Sequence, residues 1–186
     1  MGVFLGIGVY GACFVYGTAG LAAVGVGGLT AVGGGSVAVG AGTAVSNPQI
    51  MQTGVQGLWN LDKFVRGGII ERFLNQNLPQ NFPVIDIFDD VTGAATSIKS
   101  LNLSSPTYQS MSNITSLLNK YIRALNNFNG LQGIWAGANV PVGSITTKTM
   151  QLAIPPGATP AQMQAIQRSI NYAQQRGINF ITTVVQ

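Results

Sequence analysis

Only five acidic side chains occur among the 186 residues, and four of them, Glu71, Asp86, Asp89 and Asp90, lie between Glu71 and Lys99. A pair of carboxylates such as Glu71 and Asp86 can hold a hard divalent cation through oxygen, Mg2+ being the typical choice. A cation held in this way polarises a phosphoryl oxygen and acidifies a water. A lysine beside it, here Lys99, can orient the attacking water or offset the charge that develops at phosphorus. Together these are the parts required for metal-assisted hydrolysis of a phosphodiester. Asp89 and Asp90 read differently, because Asp-Asp-Val-Thr-Gly is a turn-forming run.

The residue types that are absent remove other chemistries. With no histidine in the chain, Ser-His and Cys-His nucleophilic pairs, two-histidine ribonuclease chemistry and ordinary zinc hydrolysis are excluded. The single cysteine, Cys13, stands among apolar residues, forms no intrachain disulfide and reads as a small buried hydrophobe rather than a nucleophile. Charged residues make up 8% of the chain against about a quarter in soluble domains. The net charge of +4 comes from nine scattered Lys and Arg side chains, a mild bias toward a polyanionic partner.

To position Glu71, Asp86 and Lys99, the chain must supply a helix and two strands. From about Thr53 to Leu78, Val55, Leu58, Leu61, Phe64, Val65, Ile69, Ile70, Phe73 and Leu74 recur at helical spacing, with Gly67-Gly68 expected to break or kink the run. Glu71 then falls in the second helical piece. Phe82 to Phe88 alternates as a strand, with Pro83 marking its beginning or an edge. A turn near Val91 and Thr92 leads to a second strand over Ala95 to Leu103. Two strands joined there place Asp86 opposite Ser97, and Lys99 shares the face of Ser97 because side chains repeat every two residues.

Later segments read as scaffold. A helix over Asn113 to Phe128 carries a core-facing stripe of Ile114, Leu117, Leu118, Tyr121, Ile122, Leu125 and Phe128. Lys120 and Arg123 lie off that stripe as a solvated face, and they are the candidates for contact with nucleic-acid phosphate. Residues 126 to 143 are loop-rich, and Trp135 within them reads as core in preference to a base-stacking platform. Ile145 to Ile154 is a strand, Thr159-Pro160 an N-cap and first-turn proline, Gly177 a helix stop, and Ile178 to Val185 a last strand.

Residues 1 to 45 have another character: apolar, small, with glycine at nearly one position in three and no charged side chain before Asp62. Glycine lowers helix stability by roughly 1 kcal/mol per residue in water, yet it permits close packing in lipid, and Val3 to Val24 is long enough to span a bilayer. The segment lacks the basic start of a secretory signal. Two readings stand for it: a membrane-active or translocation segment, and a glycine-rich connector to a larger protein of which this chain is a fragment. Ser46-Asn47-Pro48 is a turn signal and the expected boundary between a leader, 1–45, and a catalytic domain, 46–186.

The residues FPVID followed by TSIK resemble the PD-(D/E)XK restriction-endonuclease-like core. The wider pattern FPVIDIF, TSIKSLNL, PTYQ, NKYIRALNNF and IPPGATPAQMQAIQRSINYAQQRGINF is similar to C-terminal toxin domains of bacterial contact-dependent growth inhibition and related polymorphic toxins. The resemblance covers roughly residues 54 to 186. It implies an intercellular nuclease toxin, delivered from the cell surface as part of a larger protein, acting in the cytoplasm of a competitor and restrained by a cognate immunity protein. Residue by residue, Asp86 matches the motif aspartate, Lys99 the motif lysine and Glu71 the upstream helical glutamate. Ser97 stands where the second motif acid belongs and joins Asp86 and Lys99 as a catalytic candidate, with Glu71 and Asp86 as metal ligands. Asn102 also replaces an expected acid. The resemblance then implies a site one carboxylate short, either a weaker metal site or one completed by the Ile98 carbonyl and water.

The expected fold is α/β, a restriction-endonuclease-like core with a central mixed β-sheet flanked by helices, behind an apolar leader. The expected activity is Mg2+-dependent cleavage of nucleic acid, with tRNA favoured over DNA because relatives of this toxin class include transfer-RNA cleavers. Two rivals remain: a membrane-disrupting or pore-forming toxin acting through residues 1 to 45 in transient contact with a membrane, and a binding module on the same fold that has lost catalysis.

Overall fold

The computed structural model describes residues 48–186; the leader, with its expected membrane-spanning stretch and Cys13, lies outside them. Among the described residues no helix is long and apolar enough to cross a membrane. In chain order the elements are β1 (Gln49–Met51), α1 (Lys63–Phe73), β2 (Ile87–Asp89), β3 (Ala94–Ser100), α2 (Met111–Asn127), β4 (Ile134–Trp135), β5 (Ala138–Asn139), β6 (Thr147–Ile154), α3 (Pro160–Gln174) and β7 (Ile178–Val185). Five strands form one sheet in the order β1-β7-β6-β3-β2, and β4 and β5 form a separate two-stranded ribbon.

The sheet is mixed, as expected. β3, β6, β7 and β1 run parallel, with α2 and α3 supplying the crossovers from β3 to β6 and from β6 to β7, while β2 is antiparallel to β3. Alternation divides its side chains between two cores. Met150, Leu152 and Ile154 of β6 pack with Ile114, Leu118, Ile122 and Leu125 of α2 and with Ile166 and Ile170 of α3. Ile98 of β3 and Ala153 of β6 point the other way, onto Ile70 and Leu74 at the end of α1. A sheet covered by helices on both faces needs such two-sided apolar strands. α3 starts where the sequence marks it, with a reciprocal capping box between Thr159 and Gln162.

Several sequence expectations are corrected. Gly67 and Gly68 do not break the helix; α1 runs through both. The break lies earlier, where Gly57 turns with φ 67°, a 3-10 turn covers Leu58–Asn60, and the Asp62 carboxylate caps α1 by accepting the Phe64 N–H at 2.8 Å. Gly68 is needed where it stands, because a Cβ there would lie 3.3 Å from the Gln80 side chain. The apolar repeat across 53 to 65 is not a core stripe: Val55, Phe64 and Val65 are exposed. β1, which follows the turn signal at Ser46-Asn47-Pro48 and which no sequence pattern marked, is a short edge strand.

The strand expected from Phe82 to Phe88 begins only at Ile87. Pro83 has no N–H to give, and Ile85 donates to its carbonyl at 2.8 Å across Val84 at φ 69°, a tight γ-turn that a continuous strand would not contain. Trp135 is not core either; it lies on the β4–β5 ribbon with 45% of its surface exposed. A ribbon of two residues per strand has no second layer beneath it in which to bury an indole.

Candidate active site

The β2–β3 register places Ile87 opposite Thr96, and the Asp86 N–H donates to the Thr96 carbonyl at 2.8 Å, which continues the pairing to Asp86 opposite Ser97, as expected. The turn between the strands is built by Asp89, whose carboxylate accepts from the Val91 N–H and the Thr92 hydroxyl at 2.9 and 2.6 Å. Gly93 completes it at φ 71°, where a Cβ would meet the Ser144 carbonyl at 2.5 Å. Asp89 therefore belongs to the turn, and its carboxyl is held below the usual range by those hydrogen bonds.

Asp86 is 8% exposed. One of its oxygens, Oδ2, accepts from the Ile98 N–H at 2.6 Å and pairs with Lys99 Nζ at 3.2 Å. Lys99 Nζ also donates to the Ile98 carbonyl at 2.7 Å. Burial pushes the Asp86 carboxyl up, and the ammonium of Lys99 and the Ile98 N–H offset part of that rise. Glu71, half-buried on α1, is raised first by burial and then by the charge of Asp86, with Lys99 again opposing. The two carboxylates thus feel each other's field, with one lysine between them.

Ser97 has another task. Its hydroxyl donates to the Val84 carbonyl at 2.6 Å. Val84 is β-branched and holds a positive φ, a combination that costs of order 1–3 kcal/mol and persists only when its surroundings fix it. The serine pins the turn that delivers Asp86. Asn77 does similar work on the other side, exchanging 2.8 and 2.9 Å hydrogen bonds with Phe88 as a neighbouring strand would. Asn102 ties the end of β3 to the preceding segment, donating to the Trp59 carbonyl at 2.8 Å.

Glu71 and Lys99 line a cleft of about 220 Å³ whose other walls come from α1 (Lys63, Phe64, Arg66, Gly67), the end of β3 and Tyr108, Leu117 and Tyr121. A second hollow of about 350 Å³ shares Tyr108 and Leu117 with it and carries Lys120, so the two lie side by side along α2. Arg123 lines neither hollow. A roomier space of about 680 Å³ lies between α1 and the β4–β5 ribbon, but no carboxylate lines it. Chemistry rather than volume singles out the smaller cleft.

The donor set fits a hard divalent cation. Glu71, Asp86 and the Ile98 carbonyl are all oxygen donors, and both carboxylates stand where extra positive charge would be stabilising. No group of three or more acidic or thiol side chains that could hold a metal occurs among the described residues. Sequence reasoning missed Arg66, Phe64, Tyr108 and Tyr121 as walls of the cleft. One signal was available: Lys63, Gly67 and Glu71 are spaced i, i+4, i+8, so a glycine sits one turn before the glutamate and leaves room in front of it.

A mixed sheet covered by helices, with an aspartate and a lysine on adjacent strands and a glutamate on a flanking helix, defines a restriction-endonuclease-like α/β domain. Residues 66–183 match the model of the CDI toxin restriction endonuclease-like domain, and the chain belongs to that family. It is 33% identical over 114 residues to a protein named deoxyribonuclease CdiA of Yersinia pseudotuberculosis, covering 61% of this chain and 10% of that protein. It is 26% identical over 154 residues to deoxyribonuclease CdiA-o11 of Escherichia coli O157:H7, covering 77% of this chain and 39% of that protein. The chain therefore spans well under half the length of either. A solved CdiA-CT/CdiI toxin and immunity complex from Yersinia pseudotuberculosis contains a chain that superposes with a TM-score of 0.52 at 30% identity, over 62% of this chain and 98% of that one.

Proposed function

We propose that the domain is a divalent-metal-dependent endonuclease toxin that hydrolyses phosphodiester bonds of DNA. The observation that carries this reading is that Glu71 and Lys99 line one cleft while Lys99 pairs at 3.2 Å with the buried Asp86 behind it. Both relatives named above are deoxyribonucleases, which favours DNA. The expectation of tRNA draws no support from them.

Glu71, Asp86 and the Ile98 carbonyl would hold the cation, which supplies Lewis acidity toward a phosphoryl oxygen and a lowered pKa for a water. Asp86 is already fixed by the Ile98 N–H, so little reorganisation precedes binding. Lys99, whose ammonium sits between Asp86 and the Ile98 carbonyl, orients the nucleophile and offsets the charge that grows at phosphorus. Ser97 acts through Val84, holding the turn that presents Asp86, and is a positioning residue. Lys120 contacts backbone phosphate in the adjoining hollow; Arg123 stands outside it.

A cognate immunity protein is proposed as partner, because the superposed neighbour was solved as a toxin and immunity complex. Delivery as part of a larger surface protein into a competing cell is proposed as well, supported by family membership and by the small share of each relative that the chain spans. Incubating the chain with supercoiled plasmid and with total RNA, in Mg2+, in other divalent cations and in EDTA, tests substrate and metal together. Plasmid is nicked and linearised with a divalent cation, and not in EDTA; RNA cut while plasmid survives would return the substrate to RNA.

A further inference from the structure

On the rim of the cleft, Phe64 leaves 75% of its surface exposed on the first turn of α1, with the Lys63 ammonium 4.9 Å from its ring centre. Among the described residues only the Lys63 ammonium lies over that ring, which lines the same cleft as Glu71 and Lys99. Two residues on, Arg66 is nine-tenths buried in the same wall. Its Nη1 donates to the Leu61 carbonyl at 3.0 Å and its guanidinium lies 5.5 Å from the Trp59 ring, so the group is fixed in place. Yet its Nε is buried with no partner. A buried cation short of a hydrogen bond is costly to hold, and the field of a negative charge in the adjoining cleft would offset part of that cost.

We propose that the start of α1 is a nucleotide-binding subsite, in which Phe64 stacks on a base beside the scissile phosphate and Lys63 and Arg66 attract the flanking phosphate. This rests on the nuclease reading. A nucleic-acid strand is the occupant that matches the surroundings: three cations, Lys63, Arg66 and Lys99, line the cleft with the exposed ring, and stacking plus cationic tracking is how unpaired or distorted strands are held. A strand gripped there lies across Glu71 and continues along α2 toward Lys120. The Phe64 contact would favour sites where a base can leave the duplex stack, and so set cleavage preference.

The test uses the full chain in EDTA with DNA oligonucleotides carrying 2-aminopurine at successive positions, followed by cleavage kinetics with metal. Wild type quenches or shifts 2-aminopurine at one position; Phe64→Ala loses that signal, binds about tenfold more weakly and raises KM with kcat little changed, and Phe64→Trp restores both. Because Phe64 is exposed, Phe64→Ala keeps the wild-type melting temperature, whereas Arg66→Ala is read only if it folds. If wild type cuts DNA but Phe64→Ala matches it in affinity, KM and 2-aminopurine signal, the subsite is overturned and the nuclease reading stands. If folded wild type neither binds nor cuts any nucleic acid, both fall.

Discussion

Asp86 and Lys99 are paired at 3.2 Å by the fold, and we propose that this position makes them reactive. Replacing Lys99 by Ala removes the one cation paired with Asp86 and should slow cleavage about 10²- to 10³-fold, in line with losing a transition-state electrostatic contact of roughly 3–4 kcal/mol. Ser97→Ala leaves the Val84 carbonyl without its donor; it should lower stability by about 1–3 kcal/mol and reduce kcat, because the turn before Asp86 loosens. Chemical denaturation beside kinetics checks both. Glu71 gives a prediction in pH. Its carboxyl is raised in the folded state, so the fold binds that proton more tightly than the unfolded chain does, and the stability due to it falls as pH rises through the raised value. Metal-free Glu71→Gln should therefore melt above wild type at pH 7, and the gap should close as pH drops below the ordinary value of 4.5. A gap independent of pH would contradict the assignment of buried charge to Glu71. At this scale the sequence was informative about Asp86 and Lys99, because acids are scarce and strand register follows from period two. It said nothing of Arg66 and placed Phe64 in an apolar stripe, since burial of an arginine and exposure of a phenylalanine depend on where α1 begins.

The elements that frame the cleft were unevenly legible. α2, α3, β6 and β7 follow from apolar periodicity and capping chemistry, both local signals. α1 was misread because Gly67-Gly68 carries the usual sign of a break, while the helix runs through both: space is tight only at Gly68, beside Gln80, and Gly67 leaves the cleft open in front of Glu71. The strand before Asp86 was overextended because alternation in Phe82 to Phe88 says nothing of the positive φ at Val84. Two substitutions separate these roles. Gly67→Leu should keep or raise stability, since a helix gains up to about 1 kcal/mol on losing a glycine, but fill the cleft mouth and depress activity. Gly93→Ala should do the reverse of what helix glycines do: with its Cβ 2.5 Å from the Ser144 carbonyl and φ at 71°, the β2–β3 turn must deform, at a cost of more than about 2 kcal/mol. Thermal melts of both variants, read beside plasmid nicking, decide the matter.

For the whole molecule, all fourteen formal charges fall after residue 61, nine basic and five acidic. The two adjoining hollows that hold Lys63, Lys99 and Lys120 should make DNA binding weaken steeply with salt, and Lys120→Ala should lower the slope of log affinity against log salt by about one. Mixed α/β architecture was legible in the alternation of helical and strand patterns, whereas substrate was not, because phosphate chemistry is common to RNA and DNA. The apolar leader was legible as a distinct region by composition alone, and we propose that residues 48–186 cut DNA without it. We propose that one cleft, lined by Glu71 and Lys99 with Asp86 paired behind them, does the cutting. The most direct test is plasmid cleavage by wild type and by Asp86→Ala at matched fold, verified by circular dichroism, with divalent cation present. The prediction is metal-dependent nicking by wild type and none above background by Asp86→Ala. Equal nicking by the two proteins, or none by well-folded wild type with any divalent cation, would contradict it.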